Sequence, residues 1–257
     1  MTSVTQHECL VDGRATRVLS GGSGSPVLWL HDTWGNDWSP GHRVLAERYQ
    51  VLAPSLPGFE DSETLGGIDG PQDVVFWLLD LFAELGLADP AVLGCGLGGW
   101  LAAELAVRYP ERLSRLVLVD AYGLNVSGAL PEDEFALPPA MLRPLLFARP
   151  DTELALATVP DTEPADRAER VLHARVAAAR LAWQFPYNPK LRGWLRRARV
   201  PALVVWGDQD RLVPVAHGWA YAQGLPQAQL AILPGTGHYP YLETPGHFAD
   251  MVTTFLG

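Results

Sequence analysis

The chain has 257 residues, 48% of them hydrophobic, and its 19 basic against 29 acidic side chains give a formal net charge of −10. That length and apolar content suffice for a sizeable core in a single α/β domain carrying an insertion. The acidic balance leaves no basic stripe for phosphate backbones or anionic lipid, so nucleic acid and membrane surfaces are not expected partners.

The opening stretch, MTSVTQHECLVDGR, lacks the basic end and apolar run of a secretory leader, and no segment reaches the roughly 18 uninterrupted apolar residues of a membrane helix. Cys9 and Cys95 are the only cysteines, and nothing resembles a CxxC or HExxH metal cluster. A reducing cytoplasm is the expected compartment.

Eight short β-type runs are predicted at 8–11, 15–19, 27–31, 51–53, 91–94, 116–119, 202–206 and 229–233. Amphipathic helical runs alternate with them, which predicts a doubly wound, mostly parallel sheet with helices on both faces. PVLWLH and LVLVD are almost wholly apolar, as strands covered on both sides should be. Their carboxyl ends, where open α/β sheets bind ligands, fall at His31, Gly94, Asp120 and Gly207. Helices are predicted in PQDVVFWLLDLFAELG, which has a proline in its first turn and a glycine stop, in LGGWLAAELAVRYP, and in PGHFADMVTTFL. The rhythm breaks at about 123–200, a proline-rich stretch with Ala-, Leu- and Arg-rich helical runs and no convincing buried strand. It is predicted to be a helical cap inserted into one domain spanning 1–257.

Four motifs follow in order: LHDTWG at 30–35, LGCGLGG at 93–99, WGDQDRLVP at 206–214 and GTGHYPYLE at 235–243. Together they resemble the α/β-hydrolase fold family over residues 8–256, with the weakest likeness in the cap. The resemblance implies a triad in the chain order Ser, Asp or Glu, His, with an oxyanion hole near the first loop. His238, in a Gly-rich loop after the last predicted strand, takes the base position. Asp210 takes the acid position, where it would fix the imidazole tautomer and stabilise its protonated form. Asp208 fits a turn residue better. Asp120, which also ends a strand, is the second candidate acid. His7, His42, His173, His217 and His247 lie outside such contexts.

The elbow departs from the family pattern. GxSxG maps onto residues 94–98, so Gly96 holds the serine position. Glycine suits the left-handed backbone of such a turn but offers no atom to acylate. Cys95 lies one residue early, where a strand points its side chain into packing. The first loop departs too, because the usual HG reads His31-Asp32. By position the backbone amides of Thr33 and Leu97 are the oxyanion donors, each worth about 3 kcal/mol against developing negative charge. A carboxylate at Asp32 would oppose an oxyanion if it pointed inward; it is expected to point into its loop and bond backbone. The space left by the missing hydroxymethyl group at 96 has room for a water that His238 could activate. PSLPGFEDS likewise resembles a family loop, with Ser55 and Glu60 at unusual positions.

Two classes of function follow. One is an enzyme in which a His238–Asp210 dyad does general-base work on a small, fairly apolar carbonyl or ester substrate, by hydrolysis of an ester or carbon–carbon bond through activated water or by lyase-type proton abstraction. The other is a non-catalytic ligand-binding relative that kept the pocket. An engineered exchange of a natural serine for Gly96 is a third origin for the same sequence. Trp183, Phe185, Tyr187 and Trp194 either line an apolar pocket or pack the cap onto the core, and Trp34 and Trp100 pose the same choice. No cofactor is implied: Gly94, Gly96 and Gly99 have dinucleotide-like spacing, but Ser114 and Arg115 stand where an acidic ribose partner belongs.

Overall fold

Burial along the central strands alternates between two layers, and that alternation dictates the architecture. The computed structural model describes residues 3–60, 62–63, 66–68, 70–182 and 186–257. Eight strands, β1 (Val4–Val11), β2 (Arg14–Gly21), β3 (Pro26–Leu30), β4 (Gln50–Pro54), β5 (Ala91–Cys95), β6 (Arg115–Val119), β7 (Ala202–Gly207) and β8 (Ala228–Leu233), form one sheet in the order β1-β2-β4-β3-β5-β6-β7-β8. β1 and β2 pair antiparallel, as do β2 and β4, and the remaining pairings are parallel. All eight predicted strands are present, most of them a residue or more longer than their apolar runs.

Among the described residues ten helices complete the fold: α1 (Pro40–Leu45), α2 (Pro71–Glu84), α3 (Leu97–Arg108), α4 (Pro139–Leu146), α5 (Glu153–Thr158), α6 (Ala165–Ala182), α7 (Leu191–Trp194), α8 (Ala216–Gly224), α9 (Pro240–Glu243) and α10 (Pro245–Leu256). Leu28, Leu30, Val92, Leu116, Leu118 and Val204 turn to one side, against α2, α3 and α8. Their neighbours Val27, Trp29, Leu93, Val117, Val119 and Val205 turn to the other, against α1 and α10. Helices α4 to α7 all lie between β6 and β7 in the chain, the stretch read as a cap, and the isolated bridge Gly123–Tyr187 is the β-type pairing among its described residues. Trp183 and Phe185 fall outside the described residues.

Short helix α1 is fixed locally by its first turn. Ser39 caps it, accepting the His42 N–H at 3.4 Å while the His42 ring accepts the Ser39 N–H at 3.1 Å, and Pro40 supplies a preset first φ. His42 then stacks on Trp29 of β3, with ring centroids 3.9 Å apart. Ser39→Ala is expected to cost about 1 kcal/mol in chemical denaturation; an unchanged midpoint would show that packing alone holds the turn.

Candidate active site

Parallel strands aim their carboxyl ends at one edge of the sheet, and the segments leaving β3, β5, β6, β7 and β8 carry Asp32, Gly96, Asp120, Asp210 and His238 to that edge. Gly96 caps α3 with φ +50° and ψ −113°, the left-handed conformation expected of an elbow. Its neighbours Gly94 and Gly98 are forced by close approach, because a Cβ on Gly98 would overlap the Leu30 carbonyl and one on Gly94 the Gly98 carbonyl.

His238 is fully buried, and its backbone N–H donates to the Leu146 carbonyl of α4 at 2.7 Å. Nδ1 lies 2.8 Å from Asp210 Oδ2, while Asp210 Oδ1 accepts the amides of Leu212 (2.9 Å) and Val213 (3.0 Å). Both sequence-predicted partners are therefore brought together. Asp208 instead accepts the Gly235 N–H at 2.7 Å, a turn role.

Asp32 corrects an expectation. It keeps a backbone contact in its own loop, at the Thr33 amide, but the carboxylate reaches across to the elbow: Oδ1 accepts the Leu97 N–H at 2.8 Å, and Oδ2 lies 3.1 Å from His238 Nε2. A Cβ on Gly96 would overlap Oδ1 and Cγ of Asp32 and stand 2.6 Å from Oδ2. The carboxylate thus stands where a Cβ at 96 would be, and it takes the space open to a water over Gly96. It also engages the predicted oxyanion donors, since the amides of Leu97 and Thr33 both favour its ionised form. The physical reason is compensation: with no side chain at 96, the carboxylate gives the buried imidazole its partner and also takes up the buried Leu97 amide.

The charges follow from these contacts. Each His238 ring nitrogen faces a carboxylate oxygen, an acceptor-only group, so both nitrogens carry protons. Burial alone would lower the imidazole, but Asp210 and Asp32 outweigh it and hold the ring well above its ordinary range. For Asp32, burial opposes ionisation, and the hydrogen bond and charge of His238 prevail to hold the carboxyl below its usual value. Behind Asp210, burial and then the Asp210 charge push Asp120 well up. Asp120 Oδ1 accepts the Gly207 N–H at 2.9 Å, and a proton on its otherwise unpartnered Oδ2 is available to Asp210. Asp120 is a non-glycine at φ +46°, a strained backbone held by its surroundings.

One further group was not legible in the sequence. Glu134, in the turn Glu134–Ala136 that precedes α4, is buried and takes hydrogen bonds from Tyr122 Oη (2.8 Å) and Thr33 Oγ1 (2.9 Å). Burial, then the charge of Asp32, raises it to about 7. Asp120, Asp210 and His238 place three possible metal-ligand atoms within 4.8 Å of one another, but His238 Nδ1 already donates to Asp210, so a cation there would have to displace that proton.

A cleft of about 240 Å³ reaches Asp32 between Trp34, Ala157, Tyr239, Tyr241 and Leu242. Trp34 therefore faces the site, with Arg175 over its ring at 5.3 Å. Trp100 belongs to the core, donating to Glu104 at 2.9 Å, and Trp194 packs under Arg108 at 5.2 Å. Cys95 is buried and its thiol is pushed well up by burial, the opposite of an activated nucleophile.

The chain has relatives. A 2-hydroxymuconate semialdehyde hydrolase of Pseudomonas putida is 28% identical over 97% of this chain and 93% of its own. The dihydrolipoyllysine-residue acetyltransferase component of the acetoin cleaving system, also from Pseudomonas putida, is 30% identical over 96% of this chain and 68% of its own. The structure of a 2-hydroxy-6-oxo-6-phenylhexa-2,4-dienoate hydrolase from Rhodococcus superposes with a TM-score of 0.80 at 20% identity, covering 100% of this chain and 99% of that one. The profile of the alpha/beta hydrolase family matches residues 18–250. With that match over nearly the whole eight-stranded sheet, the chain belongs to the alpha/beta hydrolase family.

Proposed function

We propose that this protein is a serine-less enzyme of its family that moves a proton on a small, fairly apolar carbonyl or ester substrate, using His238 oriented by Asp210. The observation that carries this reading is the 2.8 Å His238–Asp210 hydrogen bond beside a residue 96 with no side chain to acylate. A covalent acyl-enzyme at 96 is chemically impossible, so any proton transfer falls to the ionisable groups gathered there, His238 with Asp210 on one side and Asp32 on the other. By their names, the two hydrolases act on 2-hydroxymuconate semialdehyde and on a 2-hydroxy-6-oxo dienoate, each of which carries a carbonyl group. The mixed lining of the cleft, with Trp34, Tyr239 and Tyr241 beside Asp37, Ser39 and Arg167, suits a small compound with an apolar body and a polar carbonyl end.

A binding role without turnover is favoured by one feature, the engagement of Leu97 N–H and His238 by Asp32. The test separates the two. Candidate esters and diketones are incubated with the protein, and mass spectrometry reads both bound ligand and product. Product formation that falls by about 10²-fold in His238→Ala supports the enzyme. Unchanged turnover in that variant overturns it, and retained ligand with no product in the natural chain supports the binding role.

A further inference from the structure

The elbow has lost a side chain, and the first loop has supplied one from the opposite side. Asp32 Oδ2 is hydrogen-bonded to His238 Nε2, the nitrogen that faces the nucleophile in the family pattern, and the carboxylate overlaps the place of a Cβ at 96. It also borders the cleft that leads to the site. We propose that Asp32 is the substrate-facing catalytic group, a carboxylate base that takes a proton from the carbon beside a ketone or aldehyde carbonyl and returns it to that carbon or to a conjugated one. This rests on the reading of His238 and Asp210 as working groups and names their substrate class: small, apolar, enolisable carbonyl compounds.

The step balances within the site. The substrate C–H bond breaks, its proton goes to Asp32 Oδ2, and its electron pair forms the C=C bond of an enolate. Once Oδ2 is protonated it no longer needs the His238 Nε2–H, and that N–H, held in place by the Nδ1–Asp210 bond, is free to donate to an enolate oxygen lying beside Oδ2. Asp210 keeps the ring charged throughout. Reprotonation at carbon by Asp32 restores the starting state, and no co-reactant is consumed. Ester hydrolysis is poorly served by the same arrangement, because a tetrahedral oxyanion would find the Leu97 N–H already bonded to Oδ1. The cleft, at about 240 Å³, is below the roughly 300–1,000 Å³ of sites for larger ligands, which limits substrate size.

The experiment is deuterium exchange in D2O on the full chain, with phenylacetone and hexane-2,5-dione as probes and proton NMR as readout. The protein is expected to wash deuterium into the α-positions faster than buffer. Asp32→Asn, which keeps an acceptor for Leu97, is expected to lose about 10²-fold of that rate with KM unchanged. In the same variant the His238 imidazole is expected to titrate lower, because one of its two carboxylates is gone. If Asp32→Asn does not fold, Asp32→Ala serves: exchange restored by added formate supports the role, and exchange at the unaltered rate without formate overturns it. Lack of exchange of both probes by the natural chain also overturns it. Loss of turnover in His238→Ala with full exchange in Asp32→Asn removes Asp32 and leaves the dyad standing; full turnover in His238→Ala removes the dyad.

Discussion

Gly96→Ser alone is expected to destabilise the protein and leave it without an acyl-enzyme burst, whereas Asp32→Gly combined with Gly96→Ser is expected to fold and to show one. In the single variant the new Cβ overlaps Asp32 Oδ1 and Cγ. Overpacking of that kind costs about 1–3 kcal/mol, with a further penalty for a non-glycine at φ +50°. The double variant removes the overlap and restores the Gly after His31 that the family pattern carries. It also frees the Leu97 N–H to receive an oxyanion and leaves His238 Nε2 facing a hydroxyl. The two substitutions should therefore be strongly non-additive in urea melts, by about 1–3 kcal/mol. Stopped-flow with p-nitrophenyl acetate reads the burst. A stable, burst-competent Gly96→Ser single variant would show that Asp32 yields its position at little cost.

Stability that depends on Glu134 is expected to fall by about 3 kcal/mol between pH 4.5 and pH 7, measured as the difference between the natural chain and Glu134→Gln. Glu134 has its folded value raised from 4.5 to about 7 by burial and then by Asp32. In that window the folded state holds a proton that the unfolded state has released, so the contribution is complete below 4.5 and is lost as pH rises through 7. Other buried groups also titrate with folding: Asp120 and His238 are raised, while His31 and His42 are lowered. These are common to both proteins and cancel in the comparison. Parallel stability curves for the two would show that Glu134 stays ionised in its buried site.

The sheet was legible because its strands are bounded, near-continuous apolar runs, and a parallel core needs that pattern. His238 and Asp210 were legible for a related reason: each follows a strand in a Gly- or turn-rich loop, so chain order alone brings them to one edge. Asp32 is visible in the sequence as an anomaly, but its direction is not, because that depends on a residue far away in the chain. The two departures from the family pattern, Asp for Gly at 32 and Gly for Ser at 96, are 64 positions apart and make sense only as one change, since each fills or vacates the same volume. Local rules treat them separately and so send the aspartate back to its own backbone. Glu134 was hidden differently. It sits in PEDEFALP among acidic neighbours, and nothing local marks which of Glu132, Asp133 and Glu134 turns inward; Asp133 caps the Phe135 amide at 3.0 Å while Glu134 reaches Tyr122 and Thr33.

The 3.1 Å contact between Asp32 and His238 joins residues 206 apart in sequence. Asp210 and Asp120 enter the same chain of groups from β7 and β6, so no local unit of structure contains the site. Closing loops of that length must be paid for before their contacts contribute, which places this cluster among the slow, non-local events of folding. Until His238 arrives with the last strand, a collapsed sheet would enclose the carboxylates of Asp32 and Asp210 without their cation, a costly state. The loop after the final strand therefore supplies the counter-ion for carboxylates carried by strands as far apart in the chain as β3 and β7, and completion of the sheet and neutralisation of its buried edge go together.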